Sequence, residues 1–304
     1  GDWSSDVCSS DLSDMKPGKT IVGFIGLGVM GQSMAAHILN AGYKLHIYTR
    51  TKHKAENIIS KGAVWEDSVS ELSTKCDVII TIVGFPADVE EVYLGDKGIL
   101  NHAKKESIVI DMTTSSPDLA IKIDEIAKEK GIESLDAPVS GGDLGAKNAT
   151  LSIMVGGDTK TFDKVLPLFE IMGKNIVLQG KSGAGQHTKM ANQIAIASGM
   201  VAVCEALAYA KKSGLDPKAV LKCIGPGAAG SWSLNNLGPR IIAGDFEPGF
   251  YIRHFIKDMN IAAATSSDLG LKTPGLDLAL SLYKKMAENG FEDKGTQALY
   301  KMYQ

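Results

Sequence analysis

The sequence predicts an α/β doubly wound sheet followed by an all-α C-terminal domain. Three observations predict it. Strand and helix signals alternate from Lys19 to about Gly180, strand signals vanish after Gly183, and the first strand runs into a glycine-rich turn that opens a helix. Strands alternating with helices imply a mostly parallel sheet, and a separate block of helices implies a second domain. The expected layout is a tail over 1–15, a sheet domain over 16–180 and a helical domain over 181–304.

The first unit begins with the apolar run Ile21-Val22-Gly23-Phe24-Ile25 and continues into Gly26-Leu27-Gly28-Val29-Met30-Gly31. An amphipathic helix follows, closed by Gly42, and then a second strand, Lys44 to Tyr48. A strand, a G-x-G-x-x-G turn, a helix and a strand in that order form the Rossmann-type fingerprint for a dinucleotide. The first glycine permits the tight turn, the second lets a pyrophosphate approach the backbone, and the third lets the helix pack on the sheet. The phosphates then lie at the helix N-terminus, where free N–H groups and the dipole favour anions. An NAD site usually places Asp or Glu at the end of the second strand to hold the ribose. Here Thr49, Arg50 and Thr51 stand there, followed by Lys52. That stretch holds no carboxylate, and Arg50 can pair with a 2′-phosphate. The expected cofactor is therefore NADP(H) in preference to NAD(H), which stays possible.

The remaining elements follow from local chemistry. Thr51 to Lys61 reads as a helix ending at Gly62, and Asp67 as the cap of a short helix over Ser68 to Thr74. Asp77 to Val83 is apolar and β-branched through most of its length, as in a strand buried on both faces, and Gly84-Phe85-Pro86 breaks it. Ser107 to Asp111 is the next strand, and Pro117 opens a helix behind Ser116. Ile132 to Leu135, Leu151 to Val155 and Asn175 to Leu178 complete the sheet, with a helix over Thr161 to Met172. From Gly185 to Lys212 runs one long helix rich in small residues; further helices break near Gly225, Pro239, Pro248 and Pro274. The long helix carries apolar or small residues on both faces, among them Met190, Ile194, Ala197 and Val201. A helix apolar all round needs cover on all sides, so a homodimer or homotetramer is expected.

Charge and cysteine usage narrow the class. A net charge of −3 argues against nucleic-acid binding by bulk electrostatics. No stretch reaches 18 uninterrupted apolar residues, so no membrane span is expected. Cys8, Cys76, Cys204 and Cys223 are scattered, without C-x-x-C and without zinc spacing to histidine, so no metal site is expected and a reduced, cytoplasmic setting is the simplest. Gly1 to Asp14 is rich in Ser and Asp and has neither a basic nor an apolar signal region. It reads as artefactual sequence outside the fold, expected to be loose.

Three polar segments stand out from the core pattern. Asp136-Ala137-Pro138-Val139-Ser140-Gly141-Gly142 follows a strand end, where the Ser140 hydroxyl and the N–H groups of Gly141 and Gly142 form a candidate anion nest. Lys189 lies one turn into the long helix among small and apolar residues, with Asn192 and Gln193 three and four positions on. Alone, such a lysine is more often one whose stem is covered and whose amine reaches water. Pro248-Gly249-Phe250 precedes a helix holding Lys257-Asp258, a pair that reads equally as a solvated surface feature.

Taken together, GFIGLGVMG, DAPVSGG, GxGxxxKMAN and HFIKDMNIA resemble the β-hydroxyacid dehydrogenase family, of the 3-hydroxyisobutyrate dehydrogenase and 2-hydroxy-3-oxopropionate reductase type. The resemblance runs in order from about Lys19 to the C-terminus. It implies an NAD(P)-dependent oxidoreductase that interconverts a small β-hydroxyacid and its semialdehyde by hydride transfer. It also implies nicotinamide contacts from Val83, Gly84 and Thr113, and a substrate-carboxylate loop at Ser140, Gly141 and Gly142. The catalytic acid/base is then Lys189, and Lys257 is a second lysine beside the cofactor. Many members carry Asn where this chain has Gln193, so either Asn192 or Gln193 is the substrate amide. Trp232, in a segment that departs from the better-known members, is a candidate pocket residue. Alternatives are a succinic semialdehyde or glyoxylate reductase of the same superfamily, or a non-catalytic dinucleotide-binding protein.

Overall fold

The computed structural model describes residues 15–304. The expectation for the tail falls on Gly1 to Asp14, outside the described residues. The chain divides into two compact units. One runs to Thr113 and includes Asp118–Gly141 and Gly145–Gln186; the other comprises Thr114–Pro117, Gly142–Leu144 and His187–Gln304.

The elements in chain order are β1 (Ile21–Ile25), α1 (Val29–Asn40), β2 (Lys44–Tyr48), α2 (Glu56–Ile59), β3 (Val64–Trp65), α3 (Val69–Lys75) and β4 (Val78–Thr81). Next come α4 (Pro86–Leu94), α5 (Ile99–His102), β5 (Ile108–Asp111), α6 (Pro117–Glu129), β6 (Glu133–Asp136), β7 (Val139–Ser140) and α7 (Gly142–Lys147). Then follow β8 (Leu151–Gly157), α8 (Thr159–Met172), β9 (Gly173–Gly180), α9 (Ala184–Lys212), α10 (Pro217–Ile224), α11 (Trp232–Ile242), α12 (Ile252–Asp268) and α13 (Pro274–Glu288).

The first unit is the Rossmann-type sheet domain. Its strands lie in the order β3-β2-β1-β4-β5-β6-β8-β7, with β9 on β8. All pairings from β3 to β6 are parallel, whereas β8 runs antiparallel to β6 and β7. The alternation of side chains sets its two cores. Val78, Ile80, Ile108 and Ile110 enter one cluster, and Ile79 and Val109 enter the other, as a period of two requires. The chain leaves β1 for β2 and β3 on one side and returns to β4 on the other. That reversal between β1 and β4 is where doubly wound sheets bind ligands, outside the C-terminal strand ends.

Some local expectations change. Ser68, not Asp67, caps α3: its hydroxyl accepts from Glu71 N at 3.1 Å, while the Asp67 carboxylate accepts from Trp65 Nε1 at 2.7 Å. The helix expected over Thr51 to Lys61 is a 3-10 turn, Lys52–Ala55, followed by the four-residue α2. The loop expected around Ser140 contains the short strand β7 and opens α7.

The second unit is helical. Among its described residues the β pairing is the single bridge between Tyr251 and Gly295. Met190, Ala197, Met200, Cys204 and Leu207 of α9 share its core with Leu234, Phe255, Met259 and Tyr283. Phe255 and Tyr283 meet edge to face at 5.0 Å, and the Tyr283 hydroxyl donates to Thr296 O at 2.8 Å. By length and composition alone α9 is long and apolar enough to cross a membrane, a test that a buried core helix also passes. Its apolar residues include those buried in this core. Ala191, Ala195, Ala202 and Tyr209 of the same helix are exposed.

Candidate active site

The glycine turn is shaped for a ligand. Gly26 has a φ of +99°, and a Cβ there would lie 2.1 Å from Ile82 O. A Cβ on Gly31 would lie 2.0 Å from Gly26 O. Neither position accepts a side chain without moving backbone. Gly28 differs, because a Cβ there would meet nothing within 4 Å. Gly28 is the N-cap of α1, whose first turn has no acidic residue. Leu27 is buried and anchors the turn, Met30 is half-buried, and Val29 is exposed. Backbone N–H groups at a helix start, open space over Gly28 and no competing carboxylate in the turn fit a pyrophosphate.

The ends of β4 and β5 are tied together beside this turn. Val83 N donates to Thr113 Oγ1 at 2.9 Å, and Gly84 follows half-buried. Thr113 N and the Thr81 hydroxyl both donate to Asp111 Oδ1, at 3.0 and 2.9 Å. Burial pushes the Asp111 carboxyl up to about 6, against the pull of those bonds. Thr113 O accepts from Gln186 Nε2 at 2.7 Å. Asp136, at the end of β6, accepts from Gly183 N and Gln186 N, both at 2.8 Å, and so caps the start of α9. Burial raises its carboxyl too, opposed by those backbone bonds.

At the end of β2, Thr49 is half-buried while Arg50 and Thr51 are exposed. The sequence suggested a stretch clear of carboxylates. The structure places Asp88 there from α4: Arg50 Nη1 lies 3.0 Å from Asp88 Oδ1. Asp88 Oδ2 accepts from Phe85 N at 3.0 Å, so the helix start holds the carboxylate in place. Ser140 is half-buried in β7, opposite Ser152 of β8. Gly141 and Gly142 follow with φ of +128° and +63°, and a Cβ on Gly142 would meet nothing.

The helical unit holds the second cluster. Lys189 is 6% exposed. Burial pulls its amine down to about 8; the Asp258 charge opposes this and the Lys257 charge adds to it. Asp258, in α12, is 2% exposed. Its Oδ2 accepts from Gln193 Nε2 at 2.5 Å, and its Oδ1 lies 2.9 Å from Lys257 Nζ. Lys257 Nζ also donates to Thr114 O at 2.7 Å. The Lys257–Asp258 pair is thus buried rather than solvated. Gln193 is fully buried, and its Oε1 accepts from Asn192 Nδ2 at 2.7 Å, so both ends of its amide are engaged. Asn192 is half-buried. Trp232 is 52% exposed at the first position of α11, behind its cap Ser231.

The structure therefore gathers Gly26–Gly31, Val83 and Thr113 in one unit, and Lys189, Asn192, Gln193 and Lys257 in the other. Sequence reasoning gave no role to Asp88, Asp111 or Asp258. For Asp258 the signal available was its place beside Lys257.

Residues 21–180 match the NAD-binding domain of 6-phosphogluconate dehydrogenase, and residues 183–303 match the NAD-binding domain of NADP-dependent 3-hydroxyisobutyrate dehydrogenase. The chain belongs to the 3-hydroxyisobutyrate dehydrogenase family. It is an NAD(P)-dependent hydroxyacid dehydrogenase with the two-domain fold of that family. It is 61% identical to the uncharacterized oxidoreductase YkwC of Bacillus subtilis over 94% of this chain and 99% of that one. It is 41% identical to the 2-hydroxy-3-oxopropionate reductase of Escherichia coli over 88% of this chain and 92% of that one. Among solved structures it resembles the Mycobacterium tuberculosis 3-hydroxyisobutyrate dehydrogenase with L-serine. The TM-score is 0.85 at 30% identity, covering 93% of this chain and 98% of that one.

Proposed function

We propose that this enzyme interconverts a small β-hydroxyacid and its semialdehyde, with Lys189 as the proton donor and acceptor and NADP(H) as the preferred cofactor. The observation that carries the reading is Lys189 itself. A buried lysine held near 8, with a carboxylate acting on it, is poised to give and take a proton near neutrality. When bound, the nicotinamide exchanges a hydride with the substrate carbon. In reduction the Lys189 ammonium donates its proton to the oxygen that develops negative charge. In oxidation the neutral amine takes the hydroxyl proton.

The other residues bind and orient. The Gly26–Gly31 turn would receive the pyrophosphate, and Val83, Gly84 and Thr113 would hold the nicotinamide. Thr49, Arg50 and Thr51 would hold the adenosine ribose, and the Arg50 guanidinium, now paired with Asp88, would supply the cation for a 2′-phosphate. Ser140, Gly141 and Gly142 hold the substrate carboxylate. Asn192 is the amide that meets substrate, because Gln193 is committed to Asp258. Lys257 would supply a cation for the cofactor, and Trp232 would line the substrate pocket. The exposed stripe Ala191, Ala195, Ala202 and Tyr209 on α9 suits a second copy of the chain, giving a homodimer or homotetramer. Cys76, Cys204 and Cys223 are free thiols, which fits a cytoplasmic enzyme.

The substrate class follows relatives whose names specify 2-hydroxy-3-oxopropionate and L-serine. A spectrophotometric screen tests it. NADPH and NADH are each run against tartronate semialdehyde, methylmalonate semialdehyde, succinic semialdehyde and glyoxylate, with serine and 3-hydroxyisobutyrate in reverse. Turnover of a β-semialdehyde with NADPH is expected. Activity confined to succinic semialdehyde or glyoxylate would replace the substrate class, and cofactor binding with no turnover on any of them would replace the reaction.

A further inference from the structure

We propose that Asp258 is the positioning residue that keeps Lys189 usable in both directions, by sharing one carboxylate charge between two lysines. The proposal rests on Lys189 being the proton donor and acceptor. Asp258 Oδ2 accepts from Gln193 Nε2 at 2.5 Å, whereas its buried Oδ1 accepts no hydrogen bond among the described residues and lies 2.9 Å from the Lys257 ammonium as a charge contact. Those partners are themselves fixed: Gln193 by Asn192 at 2.7 Å, and Lys257 by Thr114 O at 2.7 Å. At 2% exposure, with one oxygen bonded to Gln193, the carboxylate keeps its charge close to both lysines and away from water. Gln193 follows Lys189 by one helical turn on α9, so its bond brings Asp258 to the Lys189 face of that helix, and the charges of Asp258 and Lys257 both act on the Lys189 amine.

The arrangement balances two demands. Burial alone drives a lysine amine toward the neutral form, which removes the acid needed for reduction. A private ion pair drives it toward the permanently charged form, which removes the base needed for oxidation. Asp258 supplies the opposing charge, and Lys257 draws off part of it. Both protonation states of Lys189 then coexist near neutral pH, as a group acting as acid in one direction and base in the other requires.

Two variants of opposite sign test this. Asp258→Asn leaves two cations without their carboxylate, so the Lys189 titration moves down by about one pH unit or more. Near pH 8 its protonated share then falls from about half to about a tenth, and reduction slows about fivefold. Lys257→Met frees Asp258 for Lys189, so the titration moves up. The shifts are read in the pH dependence of kcat at saturating cofactor. They are read independently in cofactor-free protein, from the pH dependence of Lys189 acetylation by acetic anhydride, followed by peptide mass spectrometry. Displacements of opposite sign support the proposal, and an unmoved titration in both variants overturns it. If Asp258→Asn does not fold, Lys257→Met decides alone, and an unmoved or downward shift overturns the proposal. A Lys189→Ala arm separates the two levels. Retained turnover there removes the catalytic reading itself, whereas lost turnover with unmoved titrations removes only the role of Asp258.

Discussion

Replacing Gly28 with Ala separates binding from folding at the dinucleotide turn. The added methyl meets no atom within 4 Å, and Gly28 sits at the N-cap of α1 with φ of −76°, which alanine adopts freely. The cost to the fold is that of a poorer cap, about 1 kcal/mol or less. The cost to the ligand is larger, because the methyl fills the space through which a pyrophosphate reaches the backbone N–H groups. Losing two hydrogen bonds to a charged group, at about 1.5 kcal/mol each, weakens NADPH binding by about 3 kcal/mol, or roughly two orders of magnitude. Gly31→Ala is the contrasting control. Its Cβ would fall 2.0 Å from Gly26 O, so the turn or the helix must move and the fold itself suffers. The assay is a thermal melt of cofactor-free protein beside a fluorescence titration with NADPH. Gly28→Ala should melt near wild type and bind poorly, whereas Gly31→Ala should lose both. Wild-type NADPH affinity in Gly28→Ala would refute the placement of the pyrophosphate.

Three further outcomes follow from buried or shared charges. Asp111, raised to about 6 by burial, favours the folded state fully below the unfolded carboxyl range near 4 and loses that advantage as pH rises to 6. The stability of Asp111→Asn relative to wild type should therefore increase by about 2 kcal/mol between pH 4 and pH 7 in urea titrations; a flat difference would contradict it. Asp136→Ala leaves the buried N–H groups of Gly183 and Gln186 without their acceptor, costing about 2–4 kcal/mol by chemical denaturation; a change below 1 kcal/mol would show that another group replaces it. Arg50→Ala should reduce the NADPH-over-NADH preference in kcat/KM by about tenfold, and Asp88→Asn should increase it by a few-fold, since an exposed pair is worth about 1 kcal/mol or less. An unchanged preference in both would remove this corner from cofactor selection.

Much of the fold was legible because the first unit obeys local rules. Val78 to Thr81 and Ile108 to Asp111 are buried runs with branched side chains, and the G-x-G-x-x-G turn lies between strand and helix. The elements that escaped notice have weak signals. Two-residue strands such as Val64–Trp65 and Val139–Ser140 are too short for a period, and Gly142 and Gly145 mask the helical propensity of α7. The candidate site divides in the same way. Lys189 stood out as a lysine among small apolar residues. Asp258 did not, because a carboxylate next to a lysine on a helix reads as a solvated pair until packing buries it. Asp88 lies 38 positions from Arg50 and reaches it only through the sheet fold.

The most direct measurement is turnover and NADPH affinity of Lys189→Ala on the best substrate from the screen. A buried proton donor and acceptor predicts turnover lower by about 10² to 10⁴ with NADPH dissociation near wild type. Turnover retained at the wild-type level would contradict it.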